Sequence, residues 1–356
     1  MRRTGEITST PAQPADPPQY AAAGVDLAGA EAAKARIGEL VAGTRTQLSV
    51  GAVGAFGGMV RIPEGMRKPV LVLSTDGVGT KVMVALEAGR FDTVGEDLVN
   101  HSVNDILVHG ATPIAFMDYI AGAGLSVGQI AGLVEGIARG CRNHGMALAG
   151  GETAQMPGLY QPGTYDLAGT IIGVVEEDRA LHGHAIVPGD VLLGYGSTGL
   201  HTNGYTLARR IVFGRMKLGL SDRLGTTGQT VADALLTVHR SYFRGVSPVI
   251  DRLHGMAHIT GGGIPGNLLR ILPAGCEAVV HPETWAWPPL FETLQQAGQV
   301  PTEEMQDVFN LGVGLIAVLP PEAVPAAQAA AGADGILTWP MGEIRRGHPG
   351  VRFARP

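Results

Sequence analysis

Apolar residues along this chain of 356 fall into short runs separated by glycine-rich joints, not into long stripes. Val70-Leu71-Val72-Leu73 is the kind of short apolar run that makes a buried strand, and it ends on Thr75-Asp76-Gly77-Val78-Gly79-Thr80-Lys81. Residues 114–120, 146–149, 166–175, 191–195, 308–319 and 335–338 read as further strands. Helical spacing predicts helices over 29–41, 93–108, 126–143 and 230–250, one starting near 205 and one after Gly263. Ser126 suits an N-cap, and Gly145 suits the stop of the same helix. Strands and helices alternate in both halves, which predicts an α/β (mixed α+β) fold in two units. The polar stretch 177–188 is the expected joint, giving domains at 20–176 and 177–356. Residues 1–19, rich in Pro, Ser and Thr and without periodicity, are expected to form a disordered tail.

One helix carries an unusual second face. In 93–108 the core stripe is Val99, Val103 and Ile106, while Asp97, His101, Asn104 and Asp105 share another side. A solvated face normally carries Lys, Glu, Arg or Gln. These are short, poor helix formers, which are costly there unless they bind something. Asp105 could then share a cation with Asp76, since Mg²⁺ favours one or two carboxylates plus substrate phosphates. A plain turn capped by Asp76, with Lys81 in solvent, is the simpler reading of 75–81 taken alone. Gly150-Gly151-Glu152-Thr153 adds an acidic loop after a strand. Gly54, Phe56, Gly57 and Gly58 belong to a loop able to fold over phosphates. Neither loop fits the Walker pattern, and no G-x-G-x-x-G opens a helix with the spacing of a dinucleotide fold. In the second half, Thr260-Gly261-Gly262-Gly263 before a predicted helix is a natural anion site. Ser197, His201 and Asn203 sit together in another loop.

Composition narrows the class. The formal charge is −6, from 32 acidic and 26 basic residues, with no basic run, so nucleic acid and anionic membranes are not expected partners. No apolar segment reaches the roughly 18 residues of a membrane helix. Two cysteines, Cys141 and Cys276, make no disulfide framework and suit a reducing cytoplasm. The 53 glycines are about twice the average usage and lie in loops, where backbone can approach a ligand.

In order, the segments Y-A-A-A-G-V-D (20–26), T-D-G-V-G-T-K (75–81), V-N-D-I (103–106), G-G-E-T-A-Q-M-P-G (150–158), Y-D-L-A-G (165–169), H-T-N-G-Y (201–205), H-I-T-G-G-G (258–263) and F-N-L-G-V-G (309–314) resemble the phosphoribosylformylglycinamidine cyclo-ligases, or aminoimidazole ribonucleotide synthetases. The resemblance spans nearly the whole chain from Tyr20. It implies the two-domain architecture of that superfamily and a homodimer whose N-terminal sheets join. It implies ATP-dependent closure of formylglycinamidine ribonucleotide, with ATP and Mg²⁺ as cofactors. Asp76, Asp105 and, less directly, Glu152 are then the expected Mg²⁺ ligands. Gly54, Phe56, Gly57, Gly58, Gly77, Gly79, Thr80, Lys81, Asn104 and Gly151 would attend the nucleotide. Ser197, His201, Asn203 and Thr260 to Gly263 would hold substrate, with His201 as the proton-transfer group because its ordinary pKa lies nearest neutrality.

Departures from the family pattern fall at Ala21, Ala22 and Gly38, where lysines are frequent, and at Gln155, Leu200 and Gly266. Sister enzymes are the nearest alternatives: selenophosphate synthetase-like, thiamine-phosphate kinase-like, a hydrogenase-maturation protein or the preceding amidine-forming synthetase. The first is disfavoured because residues 1–60 contain no cysteine. A non-catalytic nucleotide-sensing module is disfavoured by the presence of Asp76, Asp105 and Glu152 together.

Overall fold

The computed structural model describes residues 27–354 apart from Val53 and Ala55. The expected tail, the 20–26 motif and Ala22 lie outside the described residues. The described chain opens with α1 (Leu27–Ala42), a small hairpin of β1 (Ser49–Val50) and β2 (Met59–Val60), then β3 (Pro69–Gly77). Next come α2 (Lys81–Ala88), α3 (Asp92–Leu107), β4 (Thr112–Gly122), α4 (Val127–Asn143), β5 (Ala147–Gln155) and β6 (Tyr165–Glu176). These build a four-stranded sheet in the order β3-β6-β4-β5.

One face of that sheet packs on α3, with Leu98, Phe116, Leu167 and Ile171 fully buried. Helices α3 and α4 cross at close range through glycines. A Cβ at Gly136 would lie 1.9 Å from the Asp92 carbonyl oxygen, and one at Gly95 2.2 Å from that of Leu133. Ser126 caps α4 in a full capping box with Gln129, as the sequence led one to expect.

The second unit contains β7 (Val191–Gly196), α5 (Tyr205–Arg209), α6 (Val231–Leu235), α7 (Phe243–Val246), β8 (Gly255–His258), α8 (Gly263–Leu269) and β9 (Cys276–Val280). It continues through α9 (Pro289–Gly298), α10 (Thr302–Val308), β10 (Val313–Leu319), α11 (Val324–Ala333), β11 (Thr338–Arg346) and β12 (Gly350–Phe353). Its six-stranded sheet runs β12-β9-β11-β7-β10-β8. No helix among the described residues is long and apolar enough to cross a membrane.

Two expectations are corrected. Residues 230–250 do not form one helix: α6 ends at Leu235, and residues 236–242 cross to the first unit before α7 begins. The reason is tertiary. Backbone groups of Thr237, His239, Arg240 and Tyr242 take their hydrogen bonds from side chains of α2 and α3. Residues 308–319 are not one strand either, because Leu311 and Gly312 turn at positive φ (51° and 95°) before β10 starts.

Candidate functional site

The polar face of α3 is not solvated. It is the seam between the two units. Asp97 Oδ1 accepts from the His239 amide (2.6 Å), and Asn100 Nδ2 donates to the His239 carbonyl (2.8 Å). Asn104 Oδ1 accepts from the Tyr242 amide (2.9 Å) while its Nδ2 donates to the Arg240 carbonyl (2.8 Å). Asn104 is fully buried in this role, so the expected contact with nucleotide is corrected to an inter-unit tie.

Lys81 is corrected in the same way. Its ammonium is completely buried, 2.7 Å from Asp97 Oδ2, and donates to the carbonyls of Thr237 (2.8 Å) and His201 (3.1 Å). Three donors meet three acceptors, which leaves none for a phosphate. Burial lowers the Lys81 pKa, and it raises that of Asp97 to about 6 against the opposing pull of the lysine.

One turn further along α3 the side chains face a cleft at the end of β3. His101 Nε2 lies 2.9 Å from Asp76 Oδ2 and 3.3 Å from Asp105 Oδ2, so both carboxylates meet around one nitrogen. Asp105 Oδ1 also lies 2.8 Å from His258 Nδ1, at the end of β8. Asp76 stays 42% exposed and Asp105 22%, while both imidazoles are buried. Burial opposes charge on His101, but its bonds to Asp105 and Asp76 prevail and raise its pKa to about 10. Asp105 is desolvated too, yet His101 and His258 hold it well below the usual carboxylate range. The Asp76–Asp105 convergence expected from the sequence is therefore present.

His201 is placed differently from expectation. Its ring is stacked on His239 (centroids 4.0 Å apart) and is 1% exposed. Nε2 accepts from the Thr198 amide (3.2 Å), and burial drives the pKa well below the ordinary value. Residual basicity near neutrality, the reason for choosing it, is absent. Its Nδ1 and the Asn203 Oδ1 are buried without a protein partner. Asn203 adjoins Gly261, and Asn267 Nδ2 gathers the carbonyls of Thr260, Gly261 and Gly263 into a tight loop ahead of α8. Ser197 Oγ is 3.2 Å from the Gly199 carbonyl and 3.0 Å from Asn310 Oδ1. Gly79 and Thr80 line a cleft of about 420 Å³ with Asn203 and Arg210.

Glu152 does not join the carboxylate pair. It lies on β5, and Asp76 lies on β3, at opposite edges of the four-stranded sheet. Three inter-strand steps put them about 14 Å apart. Glu152 instead lines a cavity of about 740 Å³ with Gly54, Phe56, Gly57, Gly58 and Gly151, where Lys34 and Arg45 supply cations. That volume suits a small-molecule ligand. On its floor, burial raises the Asp118 pKa to about 7.

Sequence reasoning missed His239, Thr202 and His258 as members of the site. His258 could have been found, since it ends a strand directly before the Thr260 loop. Nothing local marked His239.

Residues 57–175 match the AIR synthase related protein N-terminal domain and residues 187–353 the C-terminal domain of the same group. A protein of Parasynechococcus marenigrum (strain WH8102) named phosphoribosylformylglycinamidine cyclo-ligase is 44% identical over 333 residues, 93% of this chain and 97% of its own. The solved thiamine-monophosphate kinase from Stenotrophomonas maltophilia K279a is similar in fold, with a TM-score of 0.67 at 18% identity, over 90% of this chain and 95% of its own. Hydrogenase maturation protein HypE, solved in complex with ATP, gives 0.59 at 18% identity over 88% and 89%.

Proposed function

The chain belongs to the phosphoribosylformylglycinamidine cyclo-ligase family, and from that premise we propose how its residues divide the work of the reaction. The reaction is the ATP-dependent closure of formylglycinamidine ribonucleotide to aminoimidazole ribonucleotide in purine biosynthesis, with ADP and phosphate released. ATP phosphorylates the formyl amide oxygen, the amidine nitrogen attacks the activated carbon, and that oxygen departs as phosphate. An amide oxygen leaves poorly and a phosphate leaves well. Phosphoryl transfer asks the protein mainly for positioning and charge neutralisation.

The observation that carries this reading is the meeting of Asp76 and Asp105 around one point at the seam of the two units. Two partly exposed carboxylates there fit a divalent ion. Mg²⁺ bound at this point would neutralise charge on the transferring phosphoryl group. Asp76 and Asp105 hold that ion. Asn203 and the amides of Thr260 to Gly263 hold the ribonucleotide. His201 stays neutral and, accepting from the Thr198 amide, holds the loop that carries Asn203, and does not act as the base. The cavity under Gly57 and Gly58 takes the nucleotide, with Lys34 and Arg45 as its cations.

A homodimer fits the same picture. The sheet face away from α3 exposes Leu71 and Leu73 on β3 and Met117 and Tyr119 on β4, with β6 running between the two strands. With a two-fold axis along the strands, β5 of one chain lies over β3 of the other. The nucleotide cavity and the carboxylate pair, about 14 Å apart within one sheet, then combine across the dimer.

Asp76→Asn should remove most ATP-dependent formation of aminoimidazole ribonucleotide while leaving the urea unfolding midpoint near that of the parent. Turnover close to normal rejects the metal role of Asp76.

A further inference from the structure

One carboxyl on the floor of the 740 Å³ cavity has no structural duty. Asp118 stands in β4 between Met117 and Tyr119, which both face out from the sheet, so strand alternation turns it into the cavity. Among the described residues it pairs with no cation, and only its own backbone amide donates to it. Neither Lys34 nor Arg45 offsets its burial, which is why its pKa stands at about 7. Gly151 makes the room it occupies, since a Cβ there would run into Asp118 Oδ1. A desolvated carboxyl that lacks a donor is costly, and an occupant of the cavity is what can supply one.

The cavity has two chemically different ends. An uncompensated carboxylate repels a triphosphate, whose charge is better met by Lys34, Arg45 and the amides of Gly57 and Gly58 on the walls. The end of the nucleotide that can approach Asp118 is therefore the base. Ile37 and Val41 of α1 and Val60 of β2 give the cavity apolar walls suited to a ring. Gly38 and Gly150 also line it, and a Cβ at either would meet nothing within 4 Å, so the space beside them is open. Adenine carries one strong donor on its outer edge, the 6-amino group, where guanine and hypoxanthine carry an acceptor carbonyl.

Resting on the nucleotide reading of this cavity, we propose that Asp118 selects adenine, its carboxyl accepting a hydrogen bond from the 6-amino group of the base. A 6-carbonyl at the same place would set acceptor against acceptor. A base with hydrogen alone at that position would leave the carboxyl without its donor. Asp118 is thus a specificity-determining residue for ATP. A site built to hydrogen-bond an N–H of its substrate discriminates against the analogue that lacks it more sharply than an apolar pocket does.

The test is steady-state ring closure with Mg²⁺ and saturating formylglycinamidine ribonucleotide, comparing ATP with purine riboside 5′-triphosphate, which is ATP without its 6-amino group. In the parent, kcat/KM for the analogue should lie at least about tenfold below that for ATP, chiefly through KM. Asp118→Ala should raise KM for ATP by about tenfold and make the two nucleotides nearly equivalent. Asp118→Asn keeps an acceptor oxygen and should recover most of the preference for ATP. The comparison in the parent does not depend on how any variant folds. Equal kcat/KM for the two nucleotides in the parent overturns the proposal, as does a preference for ATP that Asp118→Ala leaves intact. Gly150→Leu, which fills the open space of the cavity, tests the reading beneath it. That variant should raise KM for ATP sharply, and an unchanged KM removes the nucleotide from this cavity and the proposal with it.

Discussion

Lys81→Met separates two roles for a lysine that follows a Gly-x-Gly-Thr turn. In the structure its ammonium is buried and spends all three protons on Asp97 Oδ2 (2.7 Å) and the carbonyls of Thr237 and His201. Methionine fills similar volume but leaves the fully buried Asp97 carboxylate without its partner. Breaking a buried ion pair on one side costs about 3–5 kcal/mol. That is a large share of the roughly 5–15 kcal/mol that holds a domain together. Removing both charges in Lys81→Met/Asp97→Leu relieves the stranded carboxylate. What remains is the cost of unpaired backbone groups, about 1–3 kcal/mol each where they stay dry. Urea midpoints of the two single variants and the double variant close a mutant cycle. The expected coupling is at least about 2 kcal/mol, with the double variant more stable than the sum of the singles. A Lys81→Met protein that unfolds within about 0.5 kcal/mol of the parent, while its KM for ATP rises sharply, refutes the buried-pair role and returns the lysine to the phosphates.

Two further outcomes follow from groups away from the carboxylates. Burial, and secondarily Arg244, lowers the His144 pKa to about 4, so the unfolded chain takes up that proton first. Stability is then full above about pH 6.5 and falls as pH drops towards 4, by up to about 1.4 kcal/mol per unit for one proton. His144→Gln should flatten that limb in urea unfolding series, and an unchanged slope counts against it. Leu73, 62% exposed on the edge strand β3, is the position to test for self-association through the outer sheet face. Leu73→Lys should weaken the proposed homodimer at least about tenfold by sedimentation, and a protein that is monomeric before the change, or a dimer undisturbed by it, removes that face as the interface.

Much of the site was legible because it depends on residue types at fixed spacing. Asp97, His101, Asn104 and Asp105 fall on one helical face by arithmetic, and short polar residues in that number signal a face that does not meet bulk water. Asp76 at the end of an apolar run was legible for the same reason. The direction each side chain takes was not. Lys81 reads as a phosphate ligand until Asp97, 16 positions later, is seen to lie one turn inward, 2.7 Å from its ammonium. Residues 236–242 read as helix because propensity and periodicity are local, whereas their backbone bonds go to side chains more than a hundred residues away. Glu152 was grouped with Asp76 because both end strands beside glycines. Strand order, which separates them, leaves no trace in that local pattern.

The division of labour on α3 ties docking to chemistry. Asp97, Asn100 and Asn104 grip residues 239–242, while His101 and Asp105, interleaved with them, face the cleft. The grip also completes the carboxylate pair. His258, at the end of β8 in the second unit, places its Nδ1 2.8 Å from Asp105 Oδ1, so the surroundings of Asp105 are whole only where the two units meet. A reaction that needs both nucleotide and ribonucleotide gains from a site assembled at such a seam.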